Sequence, residues 1–313
     1  MQGSTEFVRA GNWVFGTGLR GAASPVLFQR MAAALEAAGS SLSHVARLDQ
    51  YYPDFSCVPP YQAARKQAFE RRQVAPSTSV VVSKLRDGAS QVDVQVMAAS
   101  TASGYVPVEV NTGLNRPDTS GYAPCLRVGD LVFVAGQLAR DASGKLAAHG
   151  VRAETEYIVQ HRLVPALQGE SGLELVLKAQ AYVSDPEAFR DAWKRAFGNR
   201  VPPTTVVAVR HPAFLTREAT VEINVVAAHR SAASRVRDID GKARMLDGLL
   251  FVGGVSTLEE AKEVFAAAGG NLSHAVRALF FHARDAAPAD PGFAYSSFEV
   301  QAGPVIDLWG YLP

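Results

Sequence analysis

Val132-Phe133-Val134-Ala135-Gly136, Val14-Phe15-Gly16-Thr17-Gly18 and Leu250-Phe251-Val252-Gly253-Gly254 are three versions of one stretch, an apolar strand closing on glycine. Gly136 follows Gly18 by 118 residues and precedes Gly254 by 118. Equal spacing of one motif across a whole chain marks an internal repeat.

Working outward from each copy gives the same order of elements. After Gly18, apolar residues at Val26, Leu27, Met31, Ala34 and Leu35 predict a helix over 25–38, stopped by Gly39. A strand near 48–52, a second helix over 60–72 and two strands, 79–84 and 91–98, close the unit. In the last, Val92, Val94 and Val96 alternate with Asp93, Gln95 and Met97, the pattern of a strand with one buried face. After Gly136, helices are expected over 153–167 and 186–197, the second with Asp185 as N-cap and Pro186 in its first turn. Strands are expected at 179–184, 205–209 and 220–227. After Gly254 comes a helix over 258–268. Pro288 and Pro291 then leave no room for a second one before strands at 296–301 and 304–308.

Each unit therefore reads as an α+β layer pair, one sheet with helices on one face. The expected divisions are 1–105, 106–230 (the most complete) and 231–313 (truncated). A single such sheet leaves its other face to be covered. Three copies packed around a pseudo-threefold axis would cover it, as an intramolecular pseudo-trimer. Three separate beads on a string are the alternative.

Bulk composition narrows the function classes. The net charge of +1 counts against nucleic acid or an anionic membrane as the main partner. Cys57 and Cys125 are too few for a disulfide framework, and no His, Cys, Asp or Glu spacing suits a metal. No apolar run approaches the ~20 residues that span a bilayer. The expectation is a cytoplasmic protein with a small-molecule substrate and no cofactor or metal. It would be a monomeric pseudo-trimer or a homodimer of such chains.

Gly121-Tyr122-Ala123-Pro124, Val128-Gly129-Asp130-Leu131 with the strand that follows, Ala179-Gln180-Ala181-Tyr182-Val183-Ser184-Asp185, Pro202-Pro203-Thr204-Thr205-Val206-Val207-Ala208-Val209 and Val221-Glu222-Ile223 resemble the RidA/YjgF family. The likeness is specific over about 120–228, looser in the first copy, and limited in the third to its strands and first helix. It implies a chorismate-mutase-like α+β fold, trimeric packing and pockets between units. It also implies cofactor-free hydrolysis of enamines and imines to a ketone and ammonia, or deamination of intermediates of aromatic-compound breakdown.

The same resemblance assigns candidate residues. Glu222 matches the glutamate that positions the hydrolytic water, with Asp93 and Asp307 in the corresponding places of the other copies. A desolvated carboxyl can also sit protonated and donate to a leaving amine; an acid on a closing strand can equally be an exposed partner for a basic side chain. The family's carboxylate-binding arginine is replaced by Thr204, by Thr78 in the first copy and by Tyr295 in the third. A hydroxyl makes one neutral hydrogen bond where a guanidinium makes a paired, charged contact. A neutral, aromatic or differently held substrate is therefore expected. Arg140, Arg127 or Arg210 would be the substitute cation, or each a solvated surface charge.

Tyr122 would line the pocket or pack as a plain ring. Gly136 would admit a ligand to the backbone or serve a bulge. Thr204 and Thr205 would bond a polar group of the substrate or simply favour the strand. Cys125 reads as a buried inert thiol, and His44 and His274 as equivalent structural caps. Two functions stand side by side: a hydrolase or deaminase using Glu222 and Asp93, and a relative that binds a small ligand without turning it over. Ribonuclease activity, attributed to some family members, fits poorly with a neutral chain.

Overall fold

The structure, a computed structural model, describes residues 6–69, 74–114, 121–284, 286 and 291–313. The first unit contains β1 (Glu6–Ala10), β2 (Trp13–Gly21), α1 (Pro25–Ala37), β3 (Val45–Tyr52), α2 (Val58–Ala68), β4 (Ser77–Val81), β5 (Lys84–Leu85) and β6 (Val92–Ala99). The second contains β7 (Val108–Glu109), β8 (Cys125–Val128), β9 (Leu131–Gln137), α3 (Val151–Ile158), α4 (Val164–Leu167), β10 (Val176–Val183), α5 (Pro186–Phe197), β11 (Thr204–Ala208) and β12 (Val221–Ala228). The third contains β13 (Arg237–Ile239), β14 (Ala243–Leu246), β15 (Leu249–Val255), α6 (Leu258–Ala267), β16 (Ala275–His282), β17 (Ser296–Glu299) and β18 (Val305–Tyr311).

Local chemistry accounts for the element ends. The Asp185 carboxylate accepts the N–H groups of Glu187 and Ala188 at the start of α5, meeting two donors that a helix start leaves unpaired. Gly39 ends α1 in the left-handed region, at φ 79°. The helix expected over 153–167 is one rod interrupted by a π turn, Val159–Leu163. Pro165, with no N–H and a ring that crowds the preceding turn, accounts for the widened turn.

The three sheets share one strand order: β1-β2-β6-β3-β4, β8-β9-β12-β10-β11 with β7 outside, and β14-β15-β18-β16-β17 with β13 outside. In each, the middle strand runs parallel to the penultimate one (β3 with β4, β10 with β11, β16 with β17) and the closing strand lies antiparallel between its neighbours. A register shift falls at Gly16/Leu19, between Val134 and Gln137, and between Val252 and Val255, so the repeated glycine sits in a bulge each time. β5 of the first unit leaves its own sheet and pairs with β17.

The closing strands differ from expectation in one respect. β6 and β12 are buried along their whole length, on both faces. The polar alternation that predicts a solvent face instead faces the neighbouring sheets, where hydrogen bonds cross between units. Asn224 Nδ2 donates to Thr78 Oγ1 (2.8 Å), Thr205 Oγ1 to Asp307 Oδ1 (2.6 Å) and Gln95 Nε2 to Ser296 Oγ (2.9 Å). These contacts join the first unit to the second, the second to the third and the third to the first. Tyr51, Tyr182 and Phe281, at matching positions of β3, β10 and β16, pack with ring centroids 5.9–6.2 Å apart in a hydrophobic cluster drawn from all three sheets. Separate cores strung in a row do not describe this arrangement.

Beside the aromatic cluster lies a buried ionic one. Arg47, Lys178 and Arg277 again occupy matching positions, and they meet Asp49 and Asp307. Arg277 bridges Asp49 (2.8 Å) and Asp307 (2.6 Å), Lys178 pairs with Asp307 (2.6 Å), and Arg47 pairs with Asp49 (2.9 Å). Removing one partner would leave a charge uncompensated in the interior, at a cost of about 3–5 kcal/mol.

Candidate functional site

Strand register decides which residues are equivalent. Tyr51 pairs with Asp93, Tyr182 with Glu222 and Phe281 with Val305. Asp307 is therefore not the counterpart of Glu222; Val305 is. Asp307 stands two residues on, at the position of Gln95 and Asn224. Its carboxyl is held below the usual range: burial pushes it up, but the Lys178 and Arg277 charges and the Thr205 hydroxyl outweigh burial. Similarly, Asp49 pairs with Thr78 and Gln180 with Thr205. The counterpart of Thr204 in the first unit is thus Ser77, and Thr78 matches Thr205.

The three seams between units differ in chemistry. Where the third unit meets the first, Asp93 is fully buried and ion-paired to Arg20 (2.7 Å), and it accepts hydrogen bonds from Gln95 and Ser296. Arg20 also donates to the Tyr295 carbonyl, and a Cβ on Gly18 would meet its guanidinium at 2.8 Å. Asp93 is neutralised and enclosed there. Where the second unit meets the third, Val305 replaces the acid. A Cβ on Gly254 would lie 3.2 Å from Thr205 Cα.

The seam between the first and second units keeps its acid. Glu222 is 5% exposed, and among the described residues it forms no ion pair. Burial pushes its carboxyl up to about 8, partly offset by a hydrogen bond from the Ser79 backbone N–H across the seam and by the charge of Arg140. Gly136 has a reason to be glycine beyond its bulge: a Cβ there would run into Glu222 Oε1. Tyr122 joins the first unit through a backbone bridge to Val74. Burial and the nearby Glu222 carboxylate raise its hydroxyl.

Three arginines act on Tyr122, next to this acid, and one of them, Arg140, also acts on the acid itself. Arg140 donates from Nε to Thr216 Oγ1 (2.9 Å). Arg162, in the π turn, donates from Nε to Gln137 Oε1 (3.0 Å), and burial lowers its proton affinity. Arg65 of α2 is 1% exposed, donates from Nη1 to Ser77 Oγ (3.0 Å) and stands 5.8 Å from the Tyr122 ring centroid. Sequence reading missed Arg65 and Arg162. Arg65 does leave a trace: with Tyr61, Ala64 and Ala68 it shares the apolar helix spacing, a buried position for a charged residue. Arg162 leaves none, because the π turn that aims it is not legible from periodicity.

Glu222, Gly136, Tyr122 and Arg140 thus converge on one seam. Thr78 lies in that seam but is bonded to Asn224. Thr205 serves the buried ionic cluster, bonding Lys178 and Asp307. Thr204 accepts from Trp193 Nε1 (3.0 Å) and donates to the Pro202 carbonyl (2.7 Å) at another seam. Arg127 is a surface partner of Glu170 at 3.3 Å, and Arg210 lines a separate surface basin. Cys125 is fully buried, and desolvation raises its thiol. Among the described residues no three acidic, histidine or cysteine side chains are grouped to hold a metal, and no helix is long and apolar enough to cross a membrane.

Residues 113–229 match a family model described as endoribonuclease L-PSP. The middle of this chain is thus similar to the L-PSP (RidA/YjgF) family. A RutC family protein of Pyrococcus abyssi is 25% identical over 112 residues, 34% of this chain and 84% of that one. Among solved structures, a chorismatase is similar over 73% of this chain and 78% of its own, with 17% identity and a TM-score of 0.55. A YjgF-family protein of Mycobacterium tuberculosis is 27% identical over 39% of this chain and 98% of its own, with a TM-score of 0.33. The mixed α+β fold is thus similar to that of the chorismatase over most of its length, and the L-PSP domain coincides with the unit that supplies Glu222.

Proposed function

We propose that the chain is an intramolecular pseudo-trimer of RidA-like units, 1–105, 106–230 and a truncated 231–313, acting as a cofactor-independent hydrolase of the deaminase type. The site is the seam between the first two units and the substrate is a small enamine, imine or ring-derived molecule carrying an anionic group. The observation that carries this reading is Glu222, a buried carboxyl with no ion pair among the described residues, pushed up to about 8 by burial despite the charge of Arg140. A carboxyl of this kind holds its proton at neutral pH and is matched to proton transfer there.

In the reaction, protonated Glu222 donates to the imine nitrogen. The resulting carboxylate takes a proton from water as the water oxygen attacks the imine carbon. The proton returns to nitrogen, and as the carbon–nitrogen bond breaks Glu222 takes the hydroxyl proton of the carbinolamine, so that ammonia and a carbonyl are released and Glu222 is protonated again. Arg140, Arg162 and Arg65 replace the single guanidinium absent at Thr204 and hold the anionic group. Tyr122 orients the unsaturated part. Asp93, tied to Arg20, takes no part in turnover. The protein works as a cytoplasmic monomer or a dimer of such chains.

The test is Glu222→Gln assayed for ammonia release on a panel of enamines and cyclic imines. Loss of turnover with binding retained supports the reading. A second reading, a binding protein without turnover, is favoured by the neutralisation of one seam acid and the replacement of another by Val305. Equal inactivity of wild type and variant, with ligand still bound, would select it.

A further inference from the structure

The ends of β4, β11 and β17 meet, and backbone hydrogen bonds tie them across the units. The Val81 N–H donates to the Ala213 carbonyl (2.9 Å), the Ser83 N–H to the Glu299 carbonyl (2.8 Å) and the Gln301 N–H to the Ala208 carbonyl (3.0 Å). Just past these ends, Val82, Val209 and Val300 occupy matching positions, each bonded through its N–H to the neighbouring strand of its own unit. All three belong to the buried cluster of Tyr51, Tyr182 and Phe281.

Over Val82 and Val300 opens a basin of about 720 Å³, lined by all three units. Phe55 and Pro212 add apolar walls. The residues that follow the three valines, Ser83, Arg210 and Gln301, turn outward and are exposed. The rim is basic: Lys84, Arg210 and Arg284 share it with a single carboxylate, Glu299. Glu299 stands opposite Lys84 in the pairing of β5 with β17 and offsets that charge. Among the described residues, the side chains of Arg210 and His211 make no hydrogen bond or ion pair. Arg217 lies over the Phe55 ring at 4.2 Å, beside Asp54.

A basin of this volume over an apolar floor suits one small organic molecule. Several cations on its rim suit an anion of more than one charge, and a guanidinium fork matches paired phosphate oxygens. We propose that this basin binds a small phosphorylated molecule, with the organic part on the valine floor and the phosphate held by Arg210, Lys84 and Arg284. Neither Glu222 nor any arginine of its seam lines the basin, so the site stands apart from the proposed hydrolase chemistry.

AMP is the probe, titrated calorimetrically into the full chain at low salt. One AMP should bind per chain. Arg210→Ala and Lys84→Ala, both on the exposed rim, should leave the thermal midpoint unchanged, and Arg210→Ala should weaken AMP about tenfold or more. Arg140→Ala, at the other site, should leave AMP binding unaltered. Adenosine, which lacks the phosphate, and inorganic phosphate, which lacks the organic part, should each bind more weakly than AMP. Absence of AMP binding, or binding indifferent to both Arg210→Ala and Lys84→Ala, would overturn the proposal. So would loss of AMP in Arg140→Ala alone, which would place the nucleotide at the Glu222 seam, or adenosine or inorganic phosphate binding as tightly as AMP.

Discussion

Replacing Glu222 by glutamine removes a titrating proton but keeps an oxygen to accept the Ser79 N–H. Its effect on stability should therefore depend on pH in a calculable way. The carboxyl stands at about 8 in the fold against an ordinary value of 4.5. A folded value above the unfolded one means that its contribution is fully present below about 4.5 and is lost as pH rises towards 8. One pKa unit corresponds to about 1.4 kcal/mol, so ionising this group inside the fold costs on the order of 3–5 kcal/mol. Glutamine escapes that cost. Thermal melts of the two proteins at pH 5 and pH 9 read it directly. Near pH 5 the midpoints should nearly coincide. At pH 9 the variant should melt higher by roughly 6–10 °C, taking about 2 °C per kcal/mol for a chain of this size. Other titrating groups cancel in the difference. A gap that does not change with pH, or a wild type that is the more stable at pH 9, would mean that Glu222 is ionised in the fold without cost.

Asp307→Ala should cost about 3–5 kcal/mol in urea unfolding, because it strands Lys178 in the interior and leaves Arg277 only Asp49; a loss under 1 kcal/mol would mean the ionic cluster does not hold the sheets. Asp307 also titrates with the opposite sign to Glu222. Its depressed carboxyl stabilises the fold above its ordinary value, and that contribution is lost as pH falls through the folded value, so Asp307→Asn should flatten the acid limb of the stability profile. Gly136→Ala should abolish turnover by displacing the Glu222 carboxylate, while Gly104→Ala, in an exposed turn open on all sides, should leave turnover unchanged. Arg140→Ala should raise KM for anionic substrates at least tenfold and leave KM for an uncharged analogue unaltered, as expected when a charged contact rather than the fold has been lost.

The repeated glycine-closed strand and the order of elements along each unit are legible in the sequence, because glycine-closed apolar strands keep their pattern when loops drift. Which acids correspond is not. Asp307 lies two residues past Val305, and a slip of two leaves every side chain on the same face, so alternation gives no warning. Thr78 is misplaced by one because Pro76 and Pro203 each precede a similar polar pair. Burial of the polar face of β6 and β12 is equally invisible: alternation of Val with Asp, Gln and Asn looks the same whether the polar side meets water or another sheet. Glu222, Gly136, Tyr122 and Arg140 are within reach of a family resemblance. Arg65 and Arg162 come from helices whose placement only the packed units determine.

Catalysis at this seam turns on a single proton. Carbon-13 labelling of glutamate side-chain carboxyls, with Glu222→Gln to assign the resonance, follows that proton through a titration from pH 4 to 10. A midpoint near 8 for the signal missing from the variant is the expected result. A midpoint near 4.5 would place a solvated, ionised carboxylate at the seam and contradict the account.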